Sequence, residues 1–163
     1  QFNLMGGAFE SGTGDYVTLF EPTASAFAAQ GKGHIVTNMG LESGEVPYTT
    51  IMMRKDTIEN EPGFAAAFVR AIYRAQKWVW AAGDEEVAYA MQSYFPDTDI
   101  ATLSAVAKSY RATDSWTRVP TMTEDAFTRL QDILDGAGEL AARIELSELV
   151  DNSFGEAAIS EIG

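Results

Sequence analysis

The chain has 163 residues, enough for one domain with a real core, and nearly half of them are apolar, so it is no disordered tail. Its 24 acids against 11 bases give a formal net charge of −13, which repels phosphate backbones and anionic membrane surfaces and argues against nucleic acid as a partner. The absence of cysteine excludes disulfides, thiolate metal sites and cysteine nucleophiles, and no apolar run approaches the ~18 residues of a membrane span.

The chain opens on Gln1 and its first residues already read as mid-domain sequence, so an excerpt of a longer chain is expected. Residues 3 to 10, NLMGGAFE, read as a short helix closed by Gly12, although the glycine pair costs about 1 kcal/mol per residue against alanine. Tyr16 to Phe20 is β-rich, short and bounded by glycine and proline, the pattern of a strand buried on both faces. Pro22 suits the first turn of a helix over Thr23 to Gln30, which stops at Gly31. His34 to Thr37 and Pro47 to Met53 read as second and third strands, with a loop over 39–44 between them. Helices follow. Phe64, Phe68, Ala71, Ile72, Ala75 and Val79 recur at helical spacing from Pro62 to about Ala82. Asp84 caps a second helix, with Glu85 and Glu86 in its first turn, and Pro96 ends it. A third starts at Asp97 or Thr98, with Ile100, Leu103, Val106, Ala107 and Tyr110 inward. Thr123 caps a fourth that ends at Gly136, and Leu146 to Val150 is a last helical turn. The expected fold class is therefore α/β, with few short strands followed by four or five helices. Three strands cannot cover so many apolar helix faces, which points to self-association or to a missing half of the sheet.

Catalytic and metal-binding patterns are sparse. His34 is the only histidine, so it reads as structural, and no serine stands at triad spacing from it. Gly12-Thr13-Gly14 lacks both the lysine of a P-loop and the third glycine of a dinucleotide fingerprint. Asp15 and Glu21 flank one extended segment, roughly 20 Å apart, too far for an acid/base pair that needs about 5–9.5 Å. Trp78 reads as core, Trp80 as half-exposed, and Trp116 as a loop anchor or cleft residue. Glu21 keeps two readings. At a strand's carboxyl end, beside free helix N–H groups, it can accept hydrogen bonds from a ligand; equally it can cap the Thr23 helix or pair with a lysine.

Several marks occur in a recognisable order: Gly14-Asp15 to Glu21-Pro22, Gly31-Lys32-Gly33, Val46 to Thr49, and Phe95 to Asp99. RLQDIL, AGEL and LVDNSFGEAAI follow. This series resembles the C-terminal half of substrate-binding proteins of ABC importers, nearest the NMT1/THI5-like branch related to nitrate, sulfonate and taurine binders. The resemblance covers essentially the whole chain. It implies a two-lobed, periplasmic binding protein-like II fold, here incomplete, with residues 1–37 ending the second lobe and 38–163 crossing the hinge into the helical part of the first. It implies an extracytoplasmic protein that captures a small molecule between lobes, without covalent chemistry or cofactor, and docks on an ABC permease. Glu21 would be a polar anchor, Thr23 a donor at a helix start, Tyr48 an aromatic wall, Thr49 a hydroxyl contact and Asn3 a further contact on the first helix. The ligands of the resembling group span pyrimidine-like and other nitrogen heterocycles, sulfonates and nitrate. A cleft carboxylate favours a donor-bearing or cationic one. Related fungal pyrimidine-forming enzymes carry clustered histidine and cysteine, which this chain lacks, so no enzyme is expected. The alternative from another class is an acidic α+β interaction module that pairs with its own copies as a homodimer.

Overall fold

The structure, a computed structural model, describes residues 2–163, with side chains from Leu4 onward. The described residues form ten α-helices: α1 (Phe2–Glu10), α2 (Thr23–Ala29), α3 (Met39–Ser43), α4 (Lys55–Asn60), α5 (Pro62–Ala81), α6 (Asp84–Met91), α7 (Ile100–Ala112), α8 (Glu124–Gly136), α9 (Leu146–Leu149) and α10 (Ser153–Ile162). A 3-10 turn, Gln92–Tyr94, follows α6. No helix among the described residues is long and apolar enough to cross a membrane.

The α/β expectation is overturned: no strand or sheet occurs among the described residues. The three segments expected as strands are irregular, and the expected loop at 39–44 contains α3. The reason is that β-propensity expresses fit to a pleated surface, whereas a strand exists only when a second segment lies in register beside it. Here none does, and the apolar side chains stay in water: Tyr16 is 80% exposed, Val36 72% and Met52 90%. Glu21 therefore stands at the approach to α2 and not at the end of a strand.

The chain divides into two units, each assembled from two separate stretches. Unit 1 comprises residues 1–38 and 82–115; unit 2 comprises 39–81 and 116–163. In unit 1, α6 packs along α7 over Val87, Ala88, Leu103, Val106 and Ala107, all buried. Two of these are alanines, and small residues allow close helix approach. Arg111 on α7 adds a polar tie, donating to the Asp84 carboxylate and, at 2.5 Å, to the Ala82 carbonyl. The α7 start is capped by Asp99, whose Oδ1 accepts from Thr102 N at 2.8 Å.

In unit 2, α10 lies against α5, and α4 precedes α5 across one turn. Ala65, Tyr73, Phe127 and Ala158 are buried there. The apolar stripe read from α5 is displaced: Phe64 is 54% exposed, whereas Ala65 and Tyr73 face inward. Trp78, expected in the core, is 40% exposed. Two side-chain amides take the place of a ladder for irregular backbone. Asn152 accepts from Met122 N at 3.0 Å and donates to Met122 O at 2.8 Å. Gln131, itself buried, accepts from Ile144 N at 2.9 Å and donates to its carbonyl at 3.1 Å. An amide has both a donor and an acceptor, so one side chain satisfies both groups of a residue that has no strand partner.

Candidate functional site

The α2 start is held by its own flanking acid. Glu21 Oε2 accepts from Ser25 N at 3.0 Å and Oε1 from Ser25 Oγ at 2.9 Å. Backbone bonds from Ala24 N to Phe20 O and from Ala26 N to Pro22 O close the same turn. The carboxylate thus satisfies an orphan N–H of the first turn and lies at the positive end of the helix. Two oxygens have about four acceptor directions between them, so these bonds leave Glu21 able to accept from a further donor.

Thr23, the first residue of α2, is exposed and borders two open hollows of unit 1. One, of about 400 Å³, lies against Gly6, Gly7, Glu10, Leu19 and Phe27. The other, of about 430 Å³, lies against Phe27, Gln30, Lys32, Asp97, Asp99 and Thr102. Phe27 is common to both. It sits close because Gly6 has no side chain: a Cβ there would come within 3.1 Å of the Phe27 ring. Lys32 places its ammonium 5.3 Å from the Phe27 ring centroid and pairs with Glu10 at 2.6 Å. With Lys32 so offset, Asp97 and Asp99 leave the second hollow net acidic. Thr102 donates to both oxygens of Asp99, through its backbone N–H and its hydroxyl. These bonds hold that carboxyl below its ordinary range.

The other expected contacts lie elsewhere. Tyr48, 78% exposed, and Thr49, also exposed, belong to an irregular segment of unit 2. That segment is tethered at its start, where Arg129 Nη1 donates to the Glu45 carbonyl at 2.9 Å. Asn3 falls within α1, and its side chain lies outside the described residues. The structure therefore brings Glu21 and Thr23 together and places Tyr48 and Thr49 in the other unit. Ser25, Phe27, Asp99 and Thr102 escaped the sequence reading as site residues. Ser25 at i+4 from Glu21 and Thr102 at i+3 from Asp99 are the spacings that could have found the two helix starts. Among the described residues no group of three or more His, Cys, Asp or Glu is placed to hold a metal ion.

The model of the NMT1-like family matches residues 3–93 of the chain. The chain belongs to the NMT1-like family. The matched span carries α1, α2 and every residue expected at the site. This NMT1-like chain is 39% identical over 160 residues to "Putative binding protein YtlA" of Bacillus subtilis (strain 168), an alignment covering 98% of the chain and 48% of the relative. The chain thus spans about half the length of the curated relative it matches. No solved structure matches it.

Proposed function

We propose that the chain is part of an extracytoplasmic solute-binding component of an ABC importer, and that it binds a small molecule without transforming it. The observation that carries this reading is the family match over residues 3–93, the span that holds the Glu21–Thr23 helix start, the whole lining of the first hollow and the α2 side of the second. The name of the Bacillus relative, a binding protein, supports it. Glu21 serves as polar anchor and Thr23 as hydroxyl donor or acceptor. Tyr48 and Thr49 are further contacts, the one an aromatic wall and the other a hydroxyl. Glu21, Asp97 and Asp99 near Thr23, with Glu10 and Lys32 offsetting each other, favour a donor-bearing or cationic ligand, such as a nitrogen heterocycle, over a small anion.

The test is differential scanning fluorimetry of this chain beside the Bacillus relative, with pyrimidines, amines, sulfonates and nitrate. Binding to the folded state alone stabilises by about 2.7 kcal/mol at a hundredfold excess over Kd, so one class should raise the melting temperature by several degrees. No response from either protein overturns the reading. Glu21→Gln should then weaken binding of the responding class by calorimetry, while the melting temperature changes little. Unchanged affinity removes Glu21 from the site.

The second reading, self-association, has its own support in the apolar side chains of the irregular segments. Tyr16, Val36, Tyr48 and Met52 are each more than two-thirds exposed.

A further inference from the structure

We infer that Gln76 and Trp80 of α5 enclose a bound water molecule beneath residues 116–120 of unit 2. Gln76 Oε1 and Trp80 Nε1 are both shut off from solvent, and neither has a hydrogen-bond partner among the described residues. One is an acceptor and the other a donor. They stand four residues apart on one helix, so they share a face, with Cβ atoms about 5–6 Å apart. The same short segment covers both. Arg118 stacks its guanidinium 3.5 Å from the Trp80 ring centroid, and the Val119 carbonyl accepts from Gln76 Nε2 at 3.5 Å. That second contact sets the amide's orientation, since turning it over would bring two oxygens together.

A complementary donor and acceptor on one face would satisfy each other if they touched, and they do not. A buried polar group without a partner is costly, and native interiors meet that need with a sequestered water of two to four bonds. A water between the two accepts from the indole N–H and donates to Gln76 Oε1. It removes both deficits and fixes the two α5 side chains that Arg118 and Val119 contact, where the chain enters unit 2 for the second time. Trp116, Arg118 and Val119 belong to that segment, so its hold on α5 decides how firmly the start of this stretch is seated.

The test combines a crystal structure that shows ordered water with a thermodynamic cycle. One density peak is expected about 2.7–3.2 Å from both atoms. In solution the Trp80 indole proton should show a magnetisation-transfer peak to long-lived water. Gln76→Leu and Trp80→Phe each orphan the other group, whereas the double variant removes both and keeps a ring beneath Arg118. The double variant should lose less melting temperature than the sum of the singles, by about 2 °C or more. Additive losses, a dry gap with both atoms still buried, or Gln76 Oε1 lying directly on Trp80 Nε1 would overturn the inference.

Discussion

At the scale of single residues, the tightest constraint is at Gly155. It sits on α10 where the chain of Pro120 and Thr121 crosses, and a Cβ there would lie 2.4 Å from the Pro120 carbonyl oxygen and 2.8 Å from Thr121 Cγ2. Backbone cannot yield as a side-chain tip can, so Gly155→Ala should cost about 1–3 kcal/mol in urea denaturation. Gly7→Ala is the contrast. Nothing lies within 4 Å of its Cβ position, and a helix interior gains about 0.5–1 kcal/mol from alanine over glycine. Equal effects at the two glycines would remove the steric account. Asn152 completes the same docking by bonding both backbone groups of Met122. Asn152→Asp sets an oxygen against the Met122 carbonyl and should cost about 1–3 kcal/mol. Neither residue was singled out from the sequence, because a glycine inside a helix carries no mark of what crosses it. The site was legible to a similar depth. Glu21 could be placed at a helix start, but its pairing with Ser25 is a matter of rotamers, which composition and spacing do not specify.

Among the elements, helix ends show why part of the fold was readable. Thr123 caps α8 as expected, accepting from Ala126 N at 3.2 Å. The signal is local: a hydroxyl before an amphipathic run satisfies an orphan N–H wherever the helix later packs. Thr123→Ala should cost about 1 kcal/mol. Asp99, past the Asp97 or Thr98 start expected from the sequence, caps α7 in the same way and adds a pH signature. Its bonds from Thr102 lower the folded pKa below the unfolded one. Its contribution is therefore fully present above the unfolded value, near ~4, and is lost as pH falls through the folded value. The melting-temperature gap between wild type and Asp99→Ala should stay constant from neutral pH down to about 5 and close below about 4. A gap that persists in acid would mean that packing, not the charged cap, carries the effect. The strands were unreadable for the opposite reason. Tyr16 to Phe20 has the right residues, yet a ladder depends on a distant segment that no local pattern announces. The α5 stripe failed more narrowly. Several helical faces of that alanine-rich run are apolar, and the neighbour, α10, decides which one is covered.

For the molecule as a whole, two opposing terms decide whether copies associate. Tyr16, Val36 and Met52 stand at 80, 72 and 90% exposure, and with their apolar neighbours they offer surface whose burial gains roughly 25 cal/mol per Å². Against this stands a net charge of −13, which repels a second copy over the Debye length. That length shrinks from roughly 30 Å at 0.01 M salt to roughly 8 Å at 0.15 M, while apolar attraction does not weaken. Association should therefore rise with salt, the reverse of what an ion-paired interface would do. Sedimentation velocity across that range should show the monomer fraction falling as ionic strength increases. Val36→Lys with Met52→Lys should restore the monomer at the higher salt. These side chains are in water already, so the two changes remove no core contact and should leave the unfolding free energy within about 1 kcal/mol of wild type. A monomer at every ionic strength would show that the exposed apolar segments do not bind one another. Association that weakens with salt would assign the contact to charged groups instead.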